Sequence, residues 1–268
     1  MVHRTVAWAA SDFPTNVPDK STAVTRMKRN YHKWFYQDLG RDMELLVFGH
    51  AGARVLAFPT RCGRFYDYEN AGIIESLRDK IERGWIQLFC VDSIDQATFY
   101  CTWSDPRDRI LRHLSYERYI IEEVLPLTRK VNPTPFLIAL GLSFGAYHAV
   151  NMALRHPHHC DRVIGISGRY DLTRAHDGFR DLLDGYYDEN VYFNMPNHYV
   201  PNIHDEALLN AVRRLDIKLI VGENDPFLDD NRRLSENFWQ KEIWHLFRIW
   251  TGRAHGVRRW REIVGWVV

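Results

Sequence analysis

Phe136-Leu-Ile-Ala-Leu-Gly-Leu-Ser-Phe-Gly-Ala-Tyr-His-Ala-Val150 decides the reading of this chain. Five apolar residues without polar alternation read as a strand buried on both faces, the pattern of a parallel sheet. Gly141-Leu-Ser-Phe-Gly145 follows at once, and then Ala146, Ala149, Val150 and Ala153 recur at helical spacing. Strand, turn and helix in that order form the setting in which Gly-x-Ser-x-Gly lifts a serine above a sheet. Strand and helix backbones pass so closely at such a turn that only hydrogen fits at the two glycines. The Ser143 hydroxyl is then raised at the positive end of the following helix. The plain alternative is a tight βα turn with an incidental serine.

Outward from this stretch, the chain alternates. Apolar runs at Val55–Phe58, Ile86–Val91, Val163–Ser167, Ile217–Val221 and Leu246–Trp250 read as strands. Helical periodicity marks Ile73, Ile74, Leu77 and Ile81, and again Ile120, Val124 and Leu127, where Pro126 should break or bend the helix. A last amphipathic helix carries Val257, Trp260, Ile263, Val264 and Val267. Near the start, Arg26–Phe35 and Met43–Phe48 flank Gln-Asp-Leu-Gly-Arg-Asp and read as a hairpin. Alternating strands and helices predict an α/β fold: a mostly parallel sheet with an antiparallel N-terminal hairpin and helices on both faces. The stretch from Leu172 to Ala207 lacks a period and is expected to be a short lid-like insertion. Residues 1–24 read as a polar N-terminal arm, and 25–268 as a single domain.

The charge balance, 35 Lys and Arg against 34 Asp and Glu, leaves no basic excess for nucleic acid or an anionic membrane surface. Four scattered cysteines without a Cys-x-x-Cys pair argue against a zinc ribbon or a thiol-redox motif. The early run Thr5-Val-Ala-Trp-Ala-Ala10 is too short for a signal-peptide core, so a cytoplasmic location is expected. His156-Pro-His-His159 has few carboxylate or thiolate companions, and neither a metal nor an organic cofactor is expected. Arg232-Arg233 and Arg258-Arg259-x-Arg261 read as solvated helix faces.

A serine hydroxyl is a poor nucleophile near neutral pH and needs a base. Where this elbow occurs, an acid and then a histidine follow later in the chain. His255, in the turn Gly252-Arg-Ala-His-Gly256 between the last strand and last helix, is the candidate base, ahead of His198, His204 and His245. Asp225, at the end of the Ile217–Val221 strand and stiffened by Pro226, is the candidate acid. Its rivals are Glu223, Asp171, Asp229 and Asp230, and the last two are expected to cap the helix beginning beside them. An oxyanion hole needs two donors. One is the N–H of Phe144, and the other comes from the loop after Phe58, with Arg61 ahead of Thr60 and Cys62. The side chains of Arg61 and Arg64 could bind an acidic group or be structural. Cys62 as a nucleophile has no base at a recognisable spacing.

Together, Phe58-Pro-Thr-Arg-Cys-Gly-Arg-Phe-Tyr-Asp-Tyr-Glu69, the Ser143 elbow, Ser167-Gly-Arg-Tyr-Asp171, Gly222-Glu-Asn-Asp-Pro226 and Ala254-His-Gly256 resemble one branch of the α/β-hydrolase superfamily. That branch holds esterase D (S-formylglutathione hydrolase), feruloyl and enterochelin esterases and mycolyl transferases, and the resemblance covers roughly residues 27–268. It implies the α/β-hydrolase fold, with Ser143 as nucleophile, Asp225 as acid, His255 as base and backbone donors at Phe144 and near Arg61. Phe58-Pro-Thr60 stands where Leu-His-Gly is usual in this branch. The expected activity is hydrolysis of small-molecule carboxylic esters through an acyl-enzyme. The alternatives are acyl transfer by the same residues and a non-catalytic binding module of the same fold.

Aromatic residues make up 13% of the chain. Trp250, Trp260 and Trp266 fall in the last strand and helix, and Tyr31, Trp34, Phe35 and Tyr36 in the hairpin, where packing accounts for them. Tyr186, Tyr187, Tyr192, Phe193 and Tyr199 lie in the 172–207 segment. Of these, Tyr192, Phe193 and Tyr199 are expected to touch substrate.

Overall fold

Eight strands form one sheet in the computed structural model, which describes residues 27–176 and 178–268. The strands are β1 (Arg29–Tyr36), β2 (Arg41–Phe48), β3 (Ala53–Phe58), β4 (Ile86–Val91), β5 (Leu137–Leu142), β6 (Arg162–Ile166), β7 (Asp216–Gly222) and β8 (His245–Trp250). Their spatial order is β1-β2-β4-β3-β5-β6-β7-β8. β1 and β2 form the expected hairpin, turned by Gly40 in the left-handed region, and β2 runs antiparallel to β4. All remaining pairings are parallel. The N-terminal arm expected over residues 1–24 lies outside the described residues.

The reason for the parallel core is visible residue by residue. Every position of β4 and β5 is buried, and alternate side chains point to opposite faces. Leu56, Phe58, Phe89, Val91 and Ala139 join a cluster on one face. Val55, Ala57, Leu88, Cys90, Ile138 and Leu140 join a cluster on the other, beneath Trp260, Ile263 and Val264 of the final helix, Val257–Val267. The amphipathic stripe that marked this helix in the sequence is the face it buries.

Several boundaries differ from the sequence expectation. Phe136 lies outside β5, which instead runs on through Gly141 to Leu142 and so delivers the chain straight to Ser143. The helix expected over residues 73–81 is two short pieces, Ile73–Ser76 and Arg78–Glu82, parted at Leu77. Pro126 does not break its helix. Helix Pro106–Tyr119 continues through a π-turn at Ile120–Val124 into Leu125–Val131. A proline lacks the N–H that would close the regular ladder, and the wider turn absorbs the misfit.

The segment 172–207 has only short helical turns before a helix begins at Glu206. Leu172, Leu182, Leu183, Val191 and Met195 from this segment are buried with Phe99, Phe144 and Tyr147, over the first turn of the helix that follows Ser143. The chain order reverses around β3, whose two neighbours are β4 and β5. Open α/β sheets bind ligands outside the carboxyl ends of their strands at such a switch point.

Candidate active site

Three loops at the carboxyl ends of β5, β7 and β8 each bring one side chain to this switch point. Ser143 has φ 55° and ψ −118°, between β5 and helix Phe144–Arg155. A non-glycine residue there stores about 1–3 kcal/mol of backbone strain, which the surrounding packing must hold. The glycines explain how. A Cβ on Gly141 would collide with the Gly145 carbonyl, and a Cβ on Gly145 with the carbonyls of Phe58 and Pro59. The helix thereby packs directly on the loop after β3, and the Ser143 N–H is pinned by the Ile166 carbonyl at 2.8 Å.

Ser143 Oγ stands 3.0 Å from His255 Nε2. His255 Nδ1 in turn lies 3.1 and 3.2 Å from the two carboxylate oxygens of Asp225. An ionised carboxylate only accepts, so Nδ1 carries the proton and Nε2 presents its lone pair to the serine hydroxyl. Burial pushes the Asp225 carboxyl upward. The hydrogen bond to His255 and its charge, with the Phe227 N–H at 3.0 Å, outweigh burial and hold it below the usual carboxylate range. The His255 ring is also packed against Phe227 and Trp260 at 5.7 and 5.4 Å between centroids. Gly222 is a contributor that the sequence reading did not single out. A side chain there would strike Ala254, so its absence lets the His255 loop close on the end of β7.

The rival residues are engaged elsewhere. Asp171 pairs with Arg233 at 2.7 Å and His198 at 3.0 Å. Asp230 does not cap its own helix; it accepts the N–H groups of Tyr170 and Asp171 and binds Asn197. Asp229 pairs at the surface with Arg232, and Glu223 and His204 are exposed. His245 bonds Ser235 Oγ at 2.7 Å. His156 bonds Glu117 at 2.8 Å, and among the described residues no three His, Cys, Asp or Glu side chains gather where they could hold a metal ion.

The Asp171 network makes a stability prediction. Burial raises the Asp171 carboxyl, but His198, Thr173 and Arg233 outweigh it and lower it well below its ordinary value. Such a group adds stability above the unfolded pKa of about 3.9 and loses it as pH falls toward the folded value. Asp171→Asn is therefore expected to cost about 1–3 kcal/mol at pH 7. The difference in Tm from the parent should shrink in thermal melts at and below about pH 3.5. An equal difference at both pH values would contradict this.

Ser143 and His255 open into a cavity of about 290 Å³, walled by Thr60 and Arg61 from the β3 loop and by Tyr100, Arg169, Phe179 and Phe227. The last four were not singled out from the sequence. Phe227 lay two residues from Asp225 and Arg169 in the Ser167–Asp171 motif, whereas Tyr100 sits in a stretch with no period. Tyr192, Phe193 and Tyr199, expected at the substrate, are not among its walls. Tyr199 is buried and donates to Asn151 Oδ1 at 3.2 Å, Tyr192 packs on the same core cluster, and Phe193 is half-exposed. Tyr192 and Tyr199 close the core instead, and Phe193 sits at its edge against the Tyr192 ring at 4.9 Å.

In the β3 loop, Cys62 takes a left-handed φ of 55° and its N–H donates to Asp95 Oδ2 at 2.9 Å. That N–H is spent, whereas those of Thr60, Arg61 and Phe144 meet no protein acceptor among the described residues. Burial pushes the Cys62 thiol up to about 11, which keeps it protonated near neutrality and unsuited to attack. Arg64 is committed to Asp92 at 2.6 Å and to Glu44. Arg61 lies over the Tyr100 ring at 5.6 Å and has no carboxylate partner among the described residues.

The family profile described as alpha/beta hydrolase fold matches residues 100–264. Among solved structures, a ferulic acid esterase superposes with a TM-score of 0.72 at 17% identity, covering 90% of this chain and 96% of its own. An S-formylglutathione hydrolase from Agrobacterium tumefaciens gives 0.70 at 14% identity, covering 89% and 92%. A fluorophosphonate-binding serine hydrolase from Staphylococcus aureus gives 0.62 at 13% identity, covering 89% and 96%. No curated protein matches the chain. No helix among the described residues is long and apolar enough to cross a membrane.

Proposed function

The chain belongs to the alpha/beta hydrolase family, and on that premise we propose that it is a serine hydrolase of small carboxylic esters. The observation that carries this reading is the line from Ser143 Oγ through His255 to Asp225, with contacts of 3.0 and 3.1 Å at the mouth of the cavity. His255 Nε2 takes the Ser143 proton as Oγ attacks the ester carbonyl. The carbonyl oxygen becomes an oxyanion held by the N–H groups of Phe144 and Arg61, both otherwise unpartnered among the described residues. Phe144 is the first residue of its helix, where a backbone donor has no intrahelical acceptor.

The tetrahedral species collapses by breaking the bond to the alkoxide, which leaves with the proton from His255. Water then donates a proton to His255 Nε2 and attacks the acyl-enzyme. The second tetrahedral species collapses by breaking its bond to Ser143 Oγ, which takes the proton back from His255, and the acid is released. Asp225, held ionised, stabilises the imidazolium in both halves.

A fluorophosphonate probe tests the reading, because it reacts only with a serine whose neighbour removes its proton. Incubation with the intact protein, followed by peptide mass spectrometry, is expected to place one phosphonyl group on Ser143 and none on the other serines. A Ser143 that stays unmodified at probe concentrations that label a control esterase would mark the chain as a non-catalytic binding module of this fold.

A further inference from the structure

One wall of the cavity takes no part in the steps above. Arg169 follows β6 at the end of Ile166-Ser-Gly-Arg169, and it is only 2% exposed. Its Nε donates to the Asp171 carbonyl at 3.3 Å, and its Nη2 to the carbonyls of Leu172, Arg174 and Arg180 at 3.4, 2.8 and 2.8 Å. Those acceptors are neutral, and among the described residues no carboxylate forms an ion pair with Arg169. Its Nη1 meets no protein acceptor there and is not sealed from solvent.

The other two deeply buried arginines are different. Arg54 has an acceptor on each of its three nitrogens, and so does Arg109, which also pairs with Asp184. A buried guanidinium with one nitrogen left without an acceptor is costly to keep, and an anion brought in by a ligand can supply that acceptor. The same cavity is walled by Arg61, and among the described residues its guanidinium is likewise without a carboxylate and no Asp or Glu stands in the walls.

We propose that this cavity selects esters bearing a carboxylate, gripped by Arg169 Nη1 with Arg61 as a second cation. The inference rests on the hydrolase reading and adds the substrate class to it. Four carbonyl acceptors hold the guanidinium plane, and the Phe227 ring lies 5.9 Å below it, so the open nitrogen is pre-aimed rather than recruited. A cavity of about 290 Å³ lies at the small end of ligand sites, which fits a short dicarboxylic half-ester or an acylated hydroxy acid. Burial lowers the Arg169 pKa, and the nearby Tyr100, Asp230, Asp171 and Asp181, none of them in an ion pair with it, do not offset the burial.

Two isosteric ester pairs test this. Monomethyl succinate against methyl 4-methylpentanoate places the carboxylate on the acyl side. Acetoxyacetate against isobutyl acetate places it on the leaving-group side. The unmodified protein, followed in a pH-stat, is expected to favour the charged member of at least one pair by about tenfold or more in kcat/KM, the scale of one charge-assisted hydrogen bond. Arg169→Met should lower kcat/KM at least about tenfold more on that charged ester than on its neutral partner. Arg169→Lys, which keeps the charge, should keep part of the preference.

Equal rates within both pairs, or equal losses on charged and neutral esters in Arg169→Met, would overturn the inference while leaving the hydrolase reading intact. The comparison within the unmodified protein decides even if Arg169→Met does not fold. No turnover of any of the four esters, with Ser143 unlabelled by the fluorophosphonate, would sink both.

Discussion

Ser143→Ala is expected to reduce kcat for a short p-nitrophenyl ester by about 10⁴-fold or more, the scale seen when a serine-histidine unit loses its nucleophile. The melting temperature should stay within about 2 °C of the parent, because only an oxygen at the edge of a cavity is removed. Alanine cannot relieve the strain at φ 55°, since it carries the same Cβ. The variant therefore separates chemistry from folding. Turnover within tenfold of the parent, in material that melts normally, would mean that Ser143 is not the nucleophile. The cavity offers no obvious substitute, since the Cys62 thiol is protonated near neutrality.

Asp225→Asn should be nearly as severe, with kcat at pH 7 falling by about 10⁴-fold. The reason is the direction of a proton. The Phe227 N–H donates to Asp225 Oδ1 at 3.0 Å, so an asparagine at 225 turns its carbonyl toward Phe227 and its NH₂ toward His255. Nδ1 must then accept, the ring proton moves to Nε2, and Nε2 points a hydrogen at Ser143 Oγ instead of a lone pair. Fluorophosphonate labelling of Ser143 should slow in parallel with ester turnover. If labelling and turnover both stayed within threefold of the parent, Asp225 would not be orienting the base. Asp171→Asn is the matched control, because its carboxylate serves Arg233 and His198 and its effect falls on stability.

The parts of the fold that were legible are those written in local pattern. β4 begins and ends where its apolar run does, and the final helix occupies the stretch its stripe predicted, because burial on two faces and on one face leave different periods in the sequence. Pro126 marked a real irregularity, but its form is a π-turn ahead of the proline rather than a break, because a wider turn can absorb the missing N–H. Tyr192, Phe193 and Tyr199 show the opposite limit. Aromatic side chains in an aperiodic segment suit a core or a pocket equally, and only the position of Asn151 and the neighbouring core placed Tyr199 inside.

The candidate site divides in the same way. Sequence alone determined the strained serine turn, the two glycines that permit it, and the candidate acid and histidine at the ends of β7 and β8. Those depend on strand–turn–helix order, which neighbouring residues encode. Tertiary structure decided which backbone donors remain free in the β3 loop, because Asp95, 33 residues from Cys62, takes that N–H. It also decided that Arg64 is neutralised while Arg61 and Arg169 face the cavity. Whether a charge is paired depends on distant residues meeting across the fold, and no spacing along one chain records that meeting.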